Sequence, residues 1–117
     1  MKRDMDLVRR ILLTMEADAP ASGTDGIEID GYDDETVAYH VIIMGEAGLL
    51  VVIDGSTLAG VNAIPERLTW AGHEFIESVR DDAQWGNVKT QAEKAGGLVF
   101  EVIKSLASAL MLRQLGL

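Results

Sequence analysis

Three consecutive acids, Asp33-Asp34-Glu35, with Tyr39 and His40 a turn further on, are the densest group of side chains able to do chemistry in this chain. Carboxylates so grouped hold a cation, cap a helix or face a basic partner. The neighbouring Glu28-Ile29-Asp30-Gly31 echoes a calcium loop. That register, however, puts Gly26 at the first ligand position and Val37 at the twelfth, where a carboxylate is required. Helix capping accounts for the acids, so no metal is expected. His40 and His73 are the only histidines, and two without a third ligand do not make a zinc site. Each is expected on a surface or between helices. No serine lies in a GxSxG turn, no GxGxxG or P-loop pattern occurs, and no acid spacing singles out a catalytic pair. The expectation is a non-enzymatic protein without a cofactor.

The distribution of charge says more. From Ile11 through Pro65 there are ten acids and not one Lys or Arg. The remainder holds all ten bases and nine acids, so the negative excess lies in one stretch. Phosphate neutralisation supplies much of a DNA binder's affinity, and base readers are typically Arg, Lys, Asn or Gln. Between Asp34 and Ala47 only Thr36, Tyr39 and His40 offer such polarity. Nucleic acid is therefore disfavoured. If DNA is touched, Arg9 and Arg10 of the basic start, with Arg67, would make the phosphate contacts. The favoured ligand of Asp33, Asp34, Glu35, Tyr39 and His40 is a protein, basic for preference.

The chain has 117 residues and a net charge of −9, with 48% apolar and 25% charged residues, which fits one folded domain's worth of core. The absence of cysteine excludes a disulfide scaffold, a thiol nucleophile and a Cys-ligated zinc site. The start MKRDMDLVRR places acids where an export signal needs its apolar run, and no stretch approaches the ~18 apolar residues of a membrane span. A cytoplasmic protein is expected.

The elements that must position these residues follow from periodicity. Residues 4–17 predict a first helix, with Val8, Ile11, Leu12 and Met15 on one stripe, Arg9 and Arg10 off it, and Asp4 or Asp6 as cap. After a loop over 18–26, Ile27-Glu28-Ile29-Asp30 alternates as a short strand does. A second helix is predicted from Asp34 to Ala47, capped by Asp33 or Asp34 and closed by Gly48, with Val37, Val41 and Met44 on its inner face and Ala38 and Ile42 widening that face. Leu49–Ile53 reads as a strand, 54–64 as a loop and Arg67–Trp70 as the return strand. Thr69 then caps a third helix with Phe75, Ile76, Val79 and Ala83 inside. Trp85-Gly86 should break it, and a shorter helix follows with Trp85, Val88 and Ala92 on one side. Gly96-Gly97 ends that helix. The two tryptophans are expected as core or subunit-contact anchors.

The order helix, hairpin, helix around EAGLL (46–50) and LTWAGHEFI (68–76) resembles the recognition helix, wing and next helix of winged-helix proteins. More narrowly, MKRDMDLVRRILL, GYDDETVAYHV, LTWAGHEFIESVRDDAQW and LRQLGL resemble one set of small bacterial and prophage proteins, domain of unknown function 2513. The resemblance implies a winged-helix-like fold and no particular activity. One departure is that Pro20, two glycines and IEID occupy the interval where the middle helix of that fold normally lies.

These readings combine into an α+β chain. Residues 1–84 form a winged-helix-like domain with a small antiparallel sheet, and 85–117 a C-terminal helical arm. The expected role is a protein-interaction module, a prophage-type acidic adaptor or an inhibitor of a nucleic-acid-binding partner. The alternative is a winged-helix DNA-binding regulator. Residues 98–115, with Phe100, Ile103, Leu106 and Leu110, are apolar around most of a helix, so the arm lies across the core or forms a homodimer. Light scattering after size exclusion separates the two. A dimer gives twice the chain mass at micromolar concentration, and a clean monomer with a folded arm contradicts it.

Overall fold

The computed structural model describes residues 1–17, 27–54, 63–94 and 100–116. Among these the chain is α+β, with five helices and a two-stranded antiparallel sheet. The order is α1 (Met5–Ala17), α2 (Asp34–Glu46), β1 (Leu50–Asp54), β2 (Ala63–Leu68), α3 (Trp70–Val79), α4 (Asp82–Lys94) and α5 (Phe100–Gln114). Two compact units divide at His73/Glu74, within α3. Residues 84 and 85, where the arm is expected to begin, lie within α4.

In the first unit, α1 starts where Asp4 Oδ1 accepts the N–H groups of Asp6 (2.9 Å) and Leu7 (3.2 Å), satisfying donors that a helix start leaves open. Its apolar stripe buries Leu7, Val8, Ile11, Leu12 and Met15. Arg9, expected off the stripe, is buried as well, at 8% exposure. α2 starts at the Asp33 cap, whose side chain accepts the Thr36 N–H at 2.8 Å. It ends on Gly48, whose φ of 81° is the left-handed conformation a side chain resists. There the Gly48 N–H reaches Gly45 O and the Leu49 N–H reaches Met44 O, closing the last carbonyls before β1.

β1 pairs with β2 from Leu50↔Leu68 to Asp54↔Ala63, with a register shift beside Val51/Val52 that leaves Glu66 as the extra residue. The return strand thus begins earlier than Arg67 and stops at Leu68. Thr69 is already the helix cap, its hydroxyl accepting the Gly72 N–H at 3.0 Å and donating to Gly48 O. Gly72 is needed there, because a Cβ would run into the Leu49 carbonyl oxygen. The loop expected at 54–64 is strand at its two ends, and 55–62 lie outside the described residues, as does 18–26.

Ile27–Asp30 is not a strand. Ile29 is buried and Glu28 and Asp30 are exposed, so the alternation is real, but it reports burial without a ladder partner. The chain turns instead at Gly31 (φ 87°), with the Tyr32 N–H on Ile29 O at 3.2 Å.

The second unit corrects the expected break. Trp85-Gly86 lies inside α4, and the chain breaks at Arg80-Asp81. Asp81 Oδ1 caps α4 through the Gln84 N–H, and Gln84 Nε2 donates to Ser78 O at the end of α3, both at 2.8 Å. Ala83 is therefore an exposed residue of α4, not part of the inner face of α3, whereas Phe75, Ile76 and Val79 are buried. α4 packs on α5, with Trp85, Val88 and Ala92 buried on one and Ile103 and Ala107 on the other. Gly96-Gly97 lies outside the described residues.

One buried residue ties α1 to α2. His40 has no exposed surface, and its Nε2 lies 2.8 Å from the Asp4 N–H. A backbone N–H can only donate, so Nε2 accepts and Nδ1 donates to Thr36 O at 2.9 Å. Replacing His40 by Phe strands that N–H and should cost about 1–3 kcal/mol in denaturant unfolding. His40→Gln, which keeps an acceptor, should lose less; equal losses would show that shape alone matters.

Asp33 yields a pH-dependent prediction. Hydrogen bonds from the Thr36 hydroxyl and N–H hold its carboxyl below the usual carboxylate range. Its contribution is therefore complete above that range and disappears as the pH falls through the lowered value. Asp33→Ala should reduce Tm at neutral pH, and the gap to the parent should close on acidification. A gap of constant size would remove the ionised cap from the account.

Candidate functional site

α2 presents two opposite faces. Val37, His40, Val41 and Met44 are buried, and at 100° per residue the line opposite them runs Glu35, Tyr39, Ile42, Glu46. Glu35 and Glu46 are exposed, Tyr39 is 38% exposed and Ile42 half-buried. Asp33 and Asp34 are exposed at the helix start, where the helix dipole favours negative charge. Four of the five residues expected to meet a partner thus stand at the surface together. His40 does not. It was grouped with them as a polar residue of the helix, yet it faces inward and both ring nitrogens are engaged.

The joint beneath this face has its own electrostatics. Asp4 Oδ2 accepts the Tyr32 hydroxyl at 2.9 Å. Burial first, then that bond and the nearby charges of Asp4 and Asp6, raise the Tyr32 phenol above its usual value, with Arg10 opposing. Arg10 donates to Asp30 O at 2.7 Å and lies 5.8 Å from the Tyr32 ring centre.

The bases expected at a phosphate are not gathered for one. Arg9 is withdrawn from solvent, and the exposed Arg10 is held to Asp30 and Tyr32. Arg67 is exposed on β2, on a different element. Among the described residues no three His, Asp or Glu side chains assemble as a metal ion would require.

In the second unit, Ile103 is fully buried, Leu106 and Leu110 are half-buried, and Phe100 opens α5. Leu112 and Leu115 are exposed, so the apolar girth of the arm is only partly used within the described chain. A cleft of about 250 Å³ there is lined by Asp81, Ala83, Gln84, Asn87, Leu110 and Arg113. Asp81 and the Gln84 amide are already committed to the α3–α4 turn.

Of the two places expected for the tryptophans, Trp85 takes the core, whereas Trp70 is 80% exposed and so is not a core residue. The signal was available: Trp70 lies nine residues before the buried Val79, which puts them on opposite sides of α3. Thr69, the preceding residue, is bonded to Gly48 and Leu49, so Trp70 begins α3 beside the end of α2.

Comparison with known proteins adds identity without activity. The model of a family described as "Hypothetical protein (DUF2513)" matches residues 2–98. An uncharacterized protein of Haemophilus influenzae strain Rd is 39% identical over 119 residues, covering 98% of this chain and 99% of the relative. No solved structure matches. With that share of its length matched, the chain belongs to the DUF2513 family.

Proposed function

We propose that this chain is a non-enzymatic protein-interaction module, winged-helix-like in its first unit, that engages a basic protein through the outer face of α2. The observation behind this reading is the make-up of that face. Glu35, Tyr39 and Glu46 reach solvent there, Asp34 is exposed at the helix start, and no Lys or Arg occurs from Ile11 through Pro65. A helix in the recognition position of a DNA-binding domain inserts among phosphates, and a run of carboxylates there is repelled. A polypeptide bearing lysines or arginines is attracted by the same charges, which steer encounter and set register.

The helix–hairpin–helix order from α2 to α3 supports the winged-helix-like reading, with α2 in the recognition position and β1–β2 as the wing. Residues 27–33 are not helical, a difference from DNA-binding winged-helix domains, in which the helix preceding the recognition helix normally helps seat it. An adaptor, or a competitor for a nucleic-acid-binding surface, follows from the same electrostatics.

Affinity capture with the parent chain and an Asp34→Lys/Glu35→Lys variant tests this, leaving the Asp33 cap in place. Loss of a discrete partner from the variant is the expected result, and equal capture contradicts it. A mobility shift with duplex DNA at low salt, weakening steeply as salt rises and lost in Arg67→Ala, would replace this reading with the DNA-binding one.

A further inference from the structure

We infer that the partner segment is a basic amphipathic helix lying along α2, with its apolar stripe on Tyr39 and Ile42 and its cationic ends over Asp34/Glu35 and Glu46. This rests on the interaction reading above and specifies the partner's chemistry. The line Glu35, Tyr39, Ile42, Glu46 alternates in kind, with acid at each end and aromatic and aliphatic surface between. Its two acids are eleven residues apart, about 16 Å on a helix, which a partner of three to four turns spans. Tyr39 and Ile42 are three residues apart, about 4.5 Å along the axis, which the i, i+3 spacing of a second helix matches more closely than the ~6.6 Å between same-face residues of a strand.

The two ends differ in origin, and the difference points outward. Acids at the start of α2 are favoured by its dipole and by the Asp33 cap, so the fold alone explains them. Glu46 is not explained that way. It sits in the last turn, where the dipole already places negative charge, and α2 has no base in that turn. A Lys or Arg brought there by another chain would meet both. Trp70 is 80% exposed and follows Thr69, which is bonded to Gly48 just past the end of α2, and tryptophan is a residue type that commonly anchors an interface. Exposed aromatics, an aliphatic centre and a cation-demanding end lie on one unit, Met1–His73.

The test uses the full chain and two fluorescein-labelled peptides of about four turns. Both contain the same leucines and lysines. One has them at helical spacing, giving an apolar stripe with cationic flanks, and the other has them shuffled so that no stripe forms. Fluorescence anisotropy should show the striped peptide binding at least about tenfold tighter than the shuffled one. Tyr39→Ser and Trp70→Ser should each weaken it by about tenfold, as truncation of an interface aromatic does. Glu46→Lys should weaken it and steepen no salt dependence. Circular dichroism on each exposed-site variant confirms that the fold is retained. Equal binding of both peptides means that charge alone acts, which overturns this inference and leaves the interaction reading standing. Binding of neither peptide also overturns it, while partner capture continues to decide the broader reading. Binding of labelled duplex DNA that is lost with Arg67→Ala overturns both.

Discussion

The hydrogen bond from the Asp4 backbone to the buried Nε2 of His40 is the joint on which the first unit turns. Its two residues are thirty-six apart, and each does several jobs. Asp4 caps α1 with one carboxylate oxygen and holds Tyr32 with the other, while its N–H fixes which nitrogen of His40 accepts. Around the buried His40 the low local dielectric strengthens such a bond and makes a missing partner costly. The start of α1, the turn at Gly31 and the middle of α2 are thereby held to one node. With His40 pinned inward, Val37, Val41 and Met44 must follow it. The opposite line of Glu35, Tyr39, Ile42 and Glu46 must then face outward.

What the sequence revealed was mostly local. The stripe of α1, the Asp33 cap, the left-handed Gly48 and the Thr69 cap all depend on chemistry within a few residues, and all stand where their spacing puts them. Features that need a distant partner were less legible. The alternation at Ile27–Asp30 was correctly a burial pattern but says nothing about a neighbouring strand, and none pairs with it among the described residues. For His40 the sequence left a surface and a helix-packing place both open, because its acceptor role is created by a backbone group far along the chain. The α3–α4 break was misplaced because glycine after Trp85 is a louder signal than an aspartate. Yet Asp81 supplies the cap and Gln84 locks the corner.

The candidate surface was half legible for the same reason. Acids and Tyr39 could be grouped from composition and helical spacing, whereas Ile42, expected to widen the inner face of α2, stands half-buried on the opposite line, because the buried His40 shifts the inward direction of the helix away from it. Once that is fixed, the arrangement has a consistent logic. Carboxylates at the head of α2 favour the helix and repel a phosphate backbone at once. Aromatic and aliphatic surface placed between acids gives a polypeptide something to bury. The DUF2513 family model covers residues 2–98, and the Haemophilus influenzae relative is similar over nearly its whole length.

A photo-reactive amino acid placed at Tyr39 tests the nature of the ligand most directly, because that position is at the centre of the exposed line and outside the core. Irradiated in a lysate of the source organism, the protein should form a discrete adduct that is digested by protease and indifferent to nuclease. An adduct destroyed by nuclease would contradict the account, because it would place nucleic acid where the carboxylates are held to exclude it.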